Sequence, residues 1–339
     1  MATLTLHTNF PYHLEKAWND LLVHNPVQVP FLRHEYQRIW WNHRGGGEWP
    51  ETKLLLISME ENGDLKGIAP LFFAPSFEGT PSLLNLGSIE VSDYLDLICR
   101  QENLDQFCNR LFTYLDQMPS PAWKKLHFFN ILNGSPTILA MEKAAQKAGW
   151  KFENTCLQHS PVIPLPGNWE TYLAGIDKKQ RHEIRRKMRR LEESGIPYRW
   201  YIVTDRNTLN DEINAFIELM SQDEKKAEFL TSEMVNFLRD AIQCAFDAGC
   251  LNLAFLEIND QKAAAYLSFD YLNRLWVYNS GLNRNLNEYS PGWVLLGYLL
   301  QWTIANNYQE FDFMRGNEDY KYRFGAVDRF IRHISLERS

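Results

Sequence analysis

Two polar turns, Asn62-Gly63-Asp64 and Asn259-Asp260-Gln261, each stand between apolar runs, and the segments after each turn come in the same order. Asn-Gly supplies the positive φ that a tight hairpin needs, so "KLLLISMEENGDLKGIAPLFFAP" reads as two strands closed by a turn. A strand-like "SLLNLGSIEVSDYLDLIC" comes next, then "NLDQFCNRLFTYLDQM" with the helical spacing of Leu104, Phe107, Leu111 and Leu115, then the strand "KKLHFFNI". In the second half, "NLAFLEINDQKAAAYLSFDYLNRLWVYNSGLN" gives a strand, a turn and two more strands. The helix "YSPGWVLLGYLLQWTIANN" and a strand from Tyr308 to Met314 succeed them. Hairpin, third strand, helix, strand thus occurs twice, which predicts an α/β chain of the α+β kind. Its two domains would stand in tandem, each a mixed, mostly antiparallel sheet flanked by helices.

Other local signals fit this frame. "EYQRIWWNH" reads as a helix closed by the loop residues Gly45, Gly46 and Gly47, and "SPTILAMEKAAQKAGW" as a helix capped by Ser135 with Pro136 at its first position. "RFIRHISLE" alternates like a last strand. Between the halves, Pro161, Pro164, Pro166 and Gly167 deny donors to a central ladder, so "HSPVIPLPGNW" is an edge or a connection. The expected domains are 1–157 and 158–339.

A net charge of -7 and a pI near 5.8 exclude a polyanion binder that works through its whole surface, and leave room for a local basic patch. Five cysteines without C-x-x-C spacing give neither a zinc site nor a disulfide framework, and no metal is expected. No secretory leader is visible, and the longest apolar run, 293–305, is shorter than the roughly 20 residues that span a bilayer. A cytoplasmic protein without a transmembrane segment is the expectation.

Four stretches could carry chemistry. At "NEYSPGWVLL", Ser290 caps a helix, Pro291 fits its first position and Gly292 leaves the first turn bare, which makes either an anion site or a merely well-capped helix. In "DKKQRHEIRRKMRRLEESG", eight of the thirteen residues from Lys178 to Arg190 are Lys or Arg, while Ile184, Met188 and Leu191 share one face of a helix over 178–191. Such a helix is either a solvated face or a holder of phosphates. In "EVSDYLDL", Asp93 is a proton acceptor or a turn cap. In "FDFMRGNEDYKYRFGAV", alternation puts Asp312 opposite Phe311 and Phe313, and Glu318, Tyr320 and Lys321 come after Gly316. That stretch is either a polar loop or the floor of a cleft.

These residues, taken in order, resemble a family. "YSPGWVLLGYLLQWTIANNYQEFDFMRGNEDYKYRFG" is similar to the C-terminal signature of CelD/BcsL-type acyltransferases of the GNAT superfamily: Ser-Pro-Gly before a helix, then Phe-Asp-Phe, a glycine and Tyr-Lys. "GIAPLFF", "LNLGS", "SDYLDL" and "IPLPGNWETYLAGIDKKQRHEIRRKMRRL" occur in that family's order, so the resemblance runs from Pro30 to Gly325. More distantly, "YKYRFG" (320–325) resembles the aromatic-Lys-x-x-Phe-Gly motif of Fem-type peptidoglycan-bridge aminoacyltransferases, in which the lysine is an active-site residue. Those enzymes are also built from two GNAT-like domains.

The resemblance implies tandem GNAT-like domains and transfer of an acyl group to an amine, or less often a hydroxyl, of an envelope, polysaccharide or small-molecule acceptor. The implied donor is acetyl-CoA or another acyl-CoA. Ser290, Pro291 and Gly292 would open the phosphate-binding helix, and Arg181, Arg185 and Arg186 would hold phosphates. Lys321 would stabilise charge in the tetrahedral species and Tyr320 protonate the departing group, with Asp93, Asp312 or Glu318 accepting the amine proton. The Gln/Arg-x-x-Gly-x-Gly/Ala loop of single-domain GNAT enzymes is absent before the 290 helix. The alternatives are a Fem-like use of aminoacyl-tRNA, although the chain has no long helical-hairpin arm, and a non-catalytic partner in envelope or polysaccharide assembly. No role for DNA is implied.

Overall fold

The computed structural model describes residues 2–338. They divide into two compact units, Met1–Gln158 with Phe330–Ser339, and His159–Arg329. The first unit opens with β1 (Thr3–His7), α1 (Glu15–Leu22) and α2 (His34–Gly47), the last ending in left-handed backbone from Arg44 to Gly47. Next come β2 (Lys53–Leu54), β3 (Leu56–Glu61), β4 (Asp64–Ala69), β5 (Leu71–Phe77) and β6 (Thr80–Asn85). The expected hairpin is β3 and β4, with Asn62 and Gly63 at φ 54° and 83°. Pro70 then parts β4 from β5, which lies in a different sheet.

β7 (Ile98–Cys99), α3 (Leu104–Gln117), β8 (Lys125–Leu132), α4 (Pro136–Ala148) and β9 (Lys151–His159) complete this half. The stretch read as one long strand from Ser82 is β6 and β7 separated by a buried loop. Asn85 anchors the start of that loop to the Phe129 main chain of β8, and Asn130 donates to the Ile89 and Ser92 carbonyls within it. α4 is capped as read: Ser135 Oγ accepts from Thr137 N–H at 3.2 Å, and Gly149 closes the helix at φ 72°.

The second unit runs β10 (Val162–Pro164), α5 (Trp169–Gly175), α6 (Lys178–Glu192) and β11 (Tyr198–Ile202). The sequence reading assigns nothing to 203–250, where the structure has α7 (Leu209–Ser221), α8 (Glu224–Phe229) and α9 (Ser232–Asp247). β12 (Leu251–Ile258), β13 (Gln261–Tyr271) and β14 (Arg274–Leu282) form a meander, succeeded by α10 (Pro291–Ala305), β15 (Glu310–Asp312) and α11 (Asp319–Arg323). The six strands lie in the order β10-β15-β14-β13-β12-β11, antiparallel except for β14 with β15. Pro164 stands on the edge strand, where its missing donor breaks no ladder. One face of the sheet packs on α6 and α10 through Ile184, Met188, Leu295 and Leu299, and the other on α7 through Ile213 and Phe216.

The last strand, β16 (Phe330–Glu337), corrects the expected boundary at the C-terminus. It belongs to the first unit, between β8 and β9 in the sheet β2-β5-β6-β8-β16-β9, and buries Ile331, Ile334 and Leu336. The remaining four strands, β1-β3-β4-β7, form that unit's other sheet. Two mixed α/β units in tandem are therefore what the chain builds.

Candidate active site

The place where chemistry can occur in the second unit is set by two strands that start together and part. β14 and β15 pair in parallel from Arg274↔Glu310 to Trp276↔Asp312, where the pairing ends while β14 runs on to Leu282. β15 is drawn off by left-handed turns at Met314, φ 55°, and Gly316, φ 105°. β14 is itself irregular, because Tyr278 is an extra residue where the register with β13 shifts. Past the fork, β14 stays paired with β13 but no longer with β15.

α11 sets Tyr320 and Lys321 beside this fork. Tyr320 packs edge-on against Phe313, ring centres 5.8 Å apart, and burial holds its phenol far above the ordinary range, with Tyr266 and Glu318 pushing the same way. Tyr266, on β13, reaches the Gly292 carbonyl at the start of α10 at 3.4 Å. Trp293 lies tilted against Phe324, ring centres 4.8 Å apart, and the Lys187 ammonium lies 4.0 Å from the Trp293 ring centre. Tyr320, Glu318 and the α10 start are thus gathered at one end of the sheet, with Lys187 as the cation that α6 contributes there.

Lys321 is only 3 % exposed, and its ammonium donates to the carbonyls of Arg315 at 2.6 Å and Gly316 at 3.2 Å and pairs with Glu318 at 2.9 Å. Those are three partners for three donors, and they fix the 314–318 turn. Glu318, 57 % exposed on its side chain, keeps the freedom that Lys321 lacks.

Other expected residues are placed elsewhere or otherwise engaged. Asp312 is fully buried, caps the turn by accepting from Met314 N–H at 2.8 Å, and pairs with Arg329, so it is a counter-ion in the core. Asp93 belongs to the first unit. Arg185 and Arg186 lie on α6 in ion pairs with Glu170 and Glu183, and Arg181 reaches the Leu173 carbonyl at 3.4 Å. Ser290 does not cap α10 with its side chain. It sits at φ 51°, ψ 50°, away from the extended conformation from which a hydroxyl bonds the first turn, and its carbonyl takes the N–H groups of Trp293 and Val294. Pro291 has no N–H, so the backbone cradle at 290–292 is thin.

Several residues of the site were not read from the sequence. Lys226 of α8 is largely buried and donates to Asn279 Oδ1 at 2.9 Å, the Ser280 carbonyl at 2.5 Å and Ser280 Oγ at 3.3 Å; burial lowers its proton affinity, while Asp223 and Glu318 raise it. Beside it lies a cavity of about 170 Å³. Gly281 lets α7 lie on β14: a β-carbon there would stand 2.6 Å from Leu219 Cβ and from Met220 N. The one available signal was Asn279-Ser280-Gly281, a polar break in an otherwise apolar strand.

Residues 178–322 match the family model described as an acetyltransferase (GNAT) domain. On that domain the chain is an acyltransferase. In fold it is similar to FemX, with a TM-score of 0.68 at 10% identity over 98% of this chain and 96% of that one. It is also similar to a protein of unknown function from Bacteroides thetaiotaomicron, TM-score 0.62 at 10% identity, over 99% of this chain and 100% of that chain. The C-terminal domain of a putative lysylphosphatidylglycerol synthetase from Agrobacterium fabrum gives a TM-score of 0.56 at 10% identity over 96% and 91%. No curated protein matches the sequence. Among the described residues no helix is long and apolar enough to cross a membrane, and no group of three or more His, Cys, Asp or Glu is placed to hold a metal.

Proposed function

We propose that the second unit is an N-acyltransferase of the CelD/BcsL type, which moves an acyl group from an ester or thioester to an amine at the fork of β14 and β15. The observation that carries this is the parting of the two parallel strands after Trp276 and Asp312, beside the start of α10 and within a domain matched as GNAT. The amine attacks the acyl carbon, Glu318 takes the proton it loses, and the bond to the leaving sulfur or oxygen breaks as that atom takes the Tyr320 proton. Burial keeps the Tyr320 phenol protonated at neutral pH, and its proton moves only as negative charge develops on the leaving atom. Lys321 acts chiefly by fixing the turn that aims Glu318. Catalysis of this kind is largely positioning, so rigid placement of these groups matters more than their intrinsic strength.

Acyl-CoA is the first donor to test, with an amine of an envelope, polysaccharide or small-molecule acceptor. The thin backbone cradle at 290–292 does not fit a pyrophosphate gripped by a helix start, so no step is routed through the CoA phosphates. The same observation favours a second reading, in which the donor is aminoacyl-tRNA and the basic face of α6 meets its backbone.

The experiment is a donor screen by thermal unfolding and product mass, with acetyl-CoA, longer acyl-CoAs and charged tRNA against a panel of amines. A donor at 100 times its Kd adds roughly 2.7 kcal/mol of stability. A shift with a CoA and an acylated amine supports the first reading, and a shift with charged tRNA alone supports the second. No shift and no product with any donor overturns acyl transfer at this fork.

A further inference from the structure

Lys226 raises a question that the transfer chemistry does not answer. Its ammonium is largely buried, yet among the described residues no carboxylate lies within ion-pair distance of it. Its partners are an amide oxygen, a main-chain carbonyl and a hydroxyl, all neutral. Burying a cation against dipoles alone is unfavourable unless an anion completes the site.

The nearby acids do not fill that role. Asp223 is turned to other work, since it accepts from the Lys226 N–H as a helix cap and pairs with Arg284 at 3.3 Å, and Glu318 pairs with Lys321. What adjoins Lys226 is the cavity of about 170 Å³, walled by Leu219, Met220 and Leu282 on its apolar side and on its polar side by Lys226, Ser280 and Arg284, with the Asp223 carboxylate also in the wall and paired with Arg284. An aliphatic stem fits against the first group and an acidic head against the second. The cavity borders β14 beyond its fork with β15.

We infer that this cavity is a subsite for a carboxylate carried on a short aliphatic stem, with Lys226 as its counter-ion, so that one of the two substrates is acidic. The inference rests on the proposed acyl transfer at the β14 and β15 fork for its meaning. Its chemistry leaves two sources, a carboxylate on the amine acceptor or one at the far end of the acyl group. In either case the acid lies beside the Lys226 charge, whose donors are held by Asn279 and Ser280, and away from the reacting atoms, so Lys226 acts through its charge as a specificity-determining residue.

The test separates binding from turnover. Glutarate and 4-aminobutanoate, with butylamine as the uncharged-end control, are titrated by calorimetry into the full chain and into Lys226→Met, which keeps the stem and removes the charge. The expected result is that both acids bind the wild type, that butylamine does not, and that Lys226→Met loses acid binding at least tenfold. The ligand-free unfolding temperature of the variant should be unchanged or higher, since an uncompensated charge has gone. Equal acid binding by the two proteins overturns the subsite. So does a substantial drop in the variant's ligand-free unfolding temperature, which would make Lys226 a structural tie for β14.

Turnover then distinguishes the sources: acceptors with and without a carboxylate are compared using one donor, and acetyl and succinyl donors using one acceptor. A preference for the acidic partner that Lys226→Met removes from kcat/KM locates the acid on that partner. Turnover indifferent to acid on either side, in an active enzyme, overturns the inference and leaves the transfer reading intact. Acid binding lost in Lys226→Met with no transfer under any condition does the reverse.

Discussion

Buried with only 3 % of its surface exposed, Lys321 ties the carbonyls of Arg315 and Gly316 to the Glu318 carboxylate. Lys321→Met would strand two carbonyls, and leaving buried groups unsatisfied costs about 1–3 kcal/mol. Urea unfolding should show that loss together with lost activity, and an inactive variant of native stability would mean that the lysine works on substrate directly. Glu318→Gln gives the contrast. Its side chain is largely exposed and the amide oxygen can still accept from Lys321, so the loss of stability should be smaller than for Lys321→Met while kcat falls. Tyr320→Phe should lower kcat by about 10²-fold or more, the usual weight of a positioned proton donor. Because burial raises the Tyr320 phenol well above its ordinary range, the wild-type rate should show no alkaline limb from it near neutrality.

The elements around the fork depend on two close approaches whose tolerances differ. At Gly281, α7 crosses β14 so tightly that an added β-carbon meets the Met220 backbone nitrogen and Leu219 Cβ at 2.6 Å, atoms that move only with their helix. At Gly297, α10 meets α6 through Met188 Sδ at 2.8 Å, the flexible end of a thioether. Gly281→Ala should therefore cost about 1–3 kcal/mol by overpacking and impair turnover, because α7 walls the same cavity that Lys226 borders. Gly297→Ala should be neutral or raise the unfolding temperature, since alanine favours a helix over glycine by about 1 kcal/mol. Calorimetric scans of both variants check this, and equal losses would show that the α6 contact is as rigid as that of α7.

For the whole molecule, the local signals were legible because turns, caps and periodicity depend on near neighbours: Asn62-Gly63, Ser135-Pro136 and the Ile184, Met188, Leu191 face all appear as read. The fates of Ser290, Asp312, Lys226 and β16 were not, because each is decided by a partner distant in sequence or by a backbone angle that no residue type dictates. β16 is the plainest case, since its alternation identifies a strand and says nothing of which sheet accepts it. Its return also brings His333 to His127, ring nitrogens 3.0 Å apart, in the first unit. Burial lowers the pKa of His127 to about 3, helped by His333, and that of His333 to about 4. An unfolded chain protonates both near 6.5, so as pH falls below that value it takes up protons the folded unit refuses, and stability drops until about pH 4 for His333 and about pH 3 for His127. Each histidine contributes up to about 1.4 kcal/mol per pH unit. Asp96 opposes them: buried at the start of α4, its pKa is raised to about 6, so its contribution is full below 3.8 and is lost as pH rises through 6. Between pH 6 and 4 two losses meet one gain, and acid should destabilise the wild type by about one proton's worth. Urea midpoints at pH 6.5, 5.5 and 4.5 should show a flatter slope for His333→Gln, which removes one histidine and relieves the other, and a steeper one for Asp96→Asn. Parallel slopes in all three proteins would mean that the pair and Asp96 titrate alike in the folded and unfolded chains.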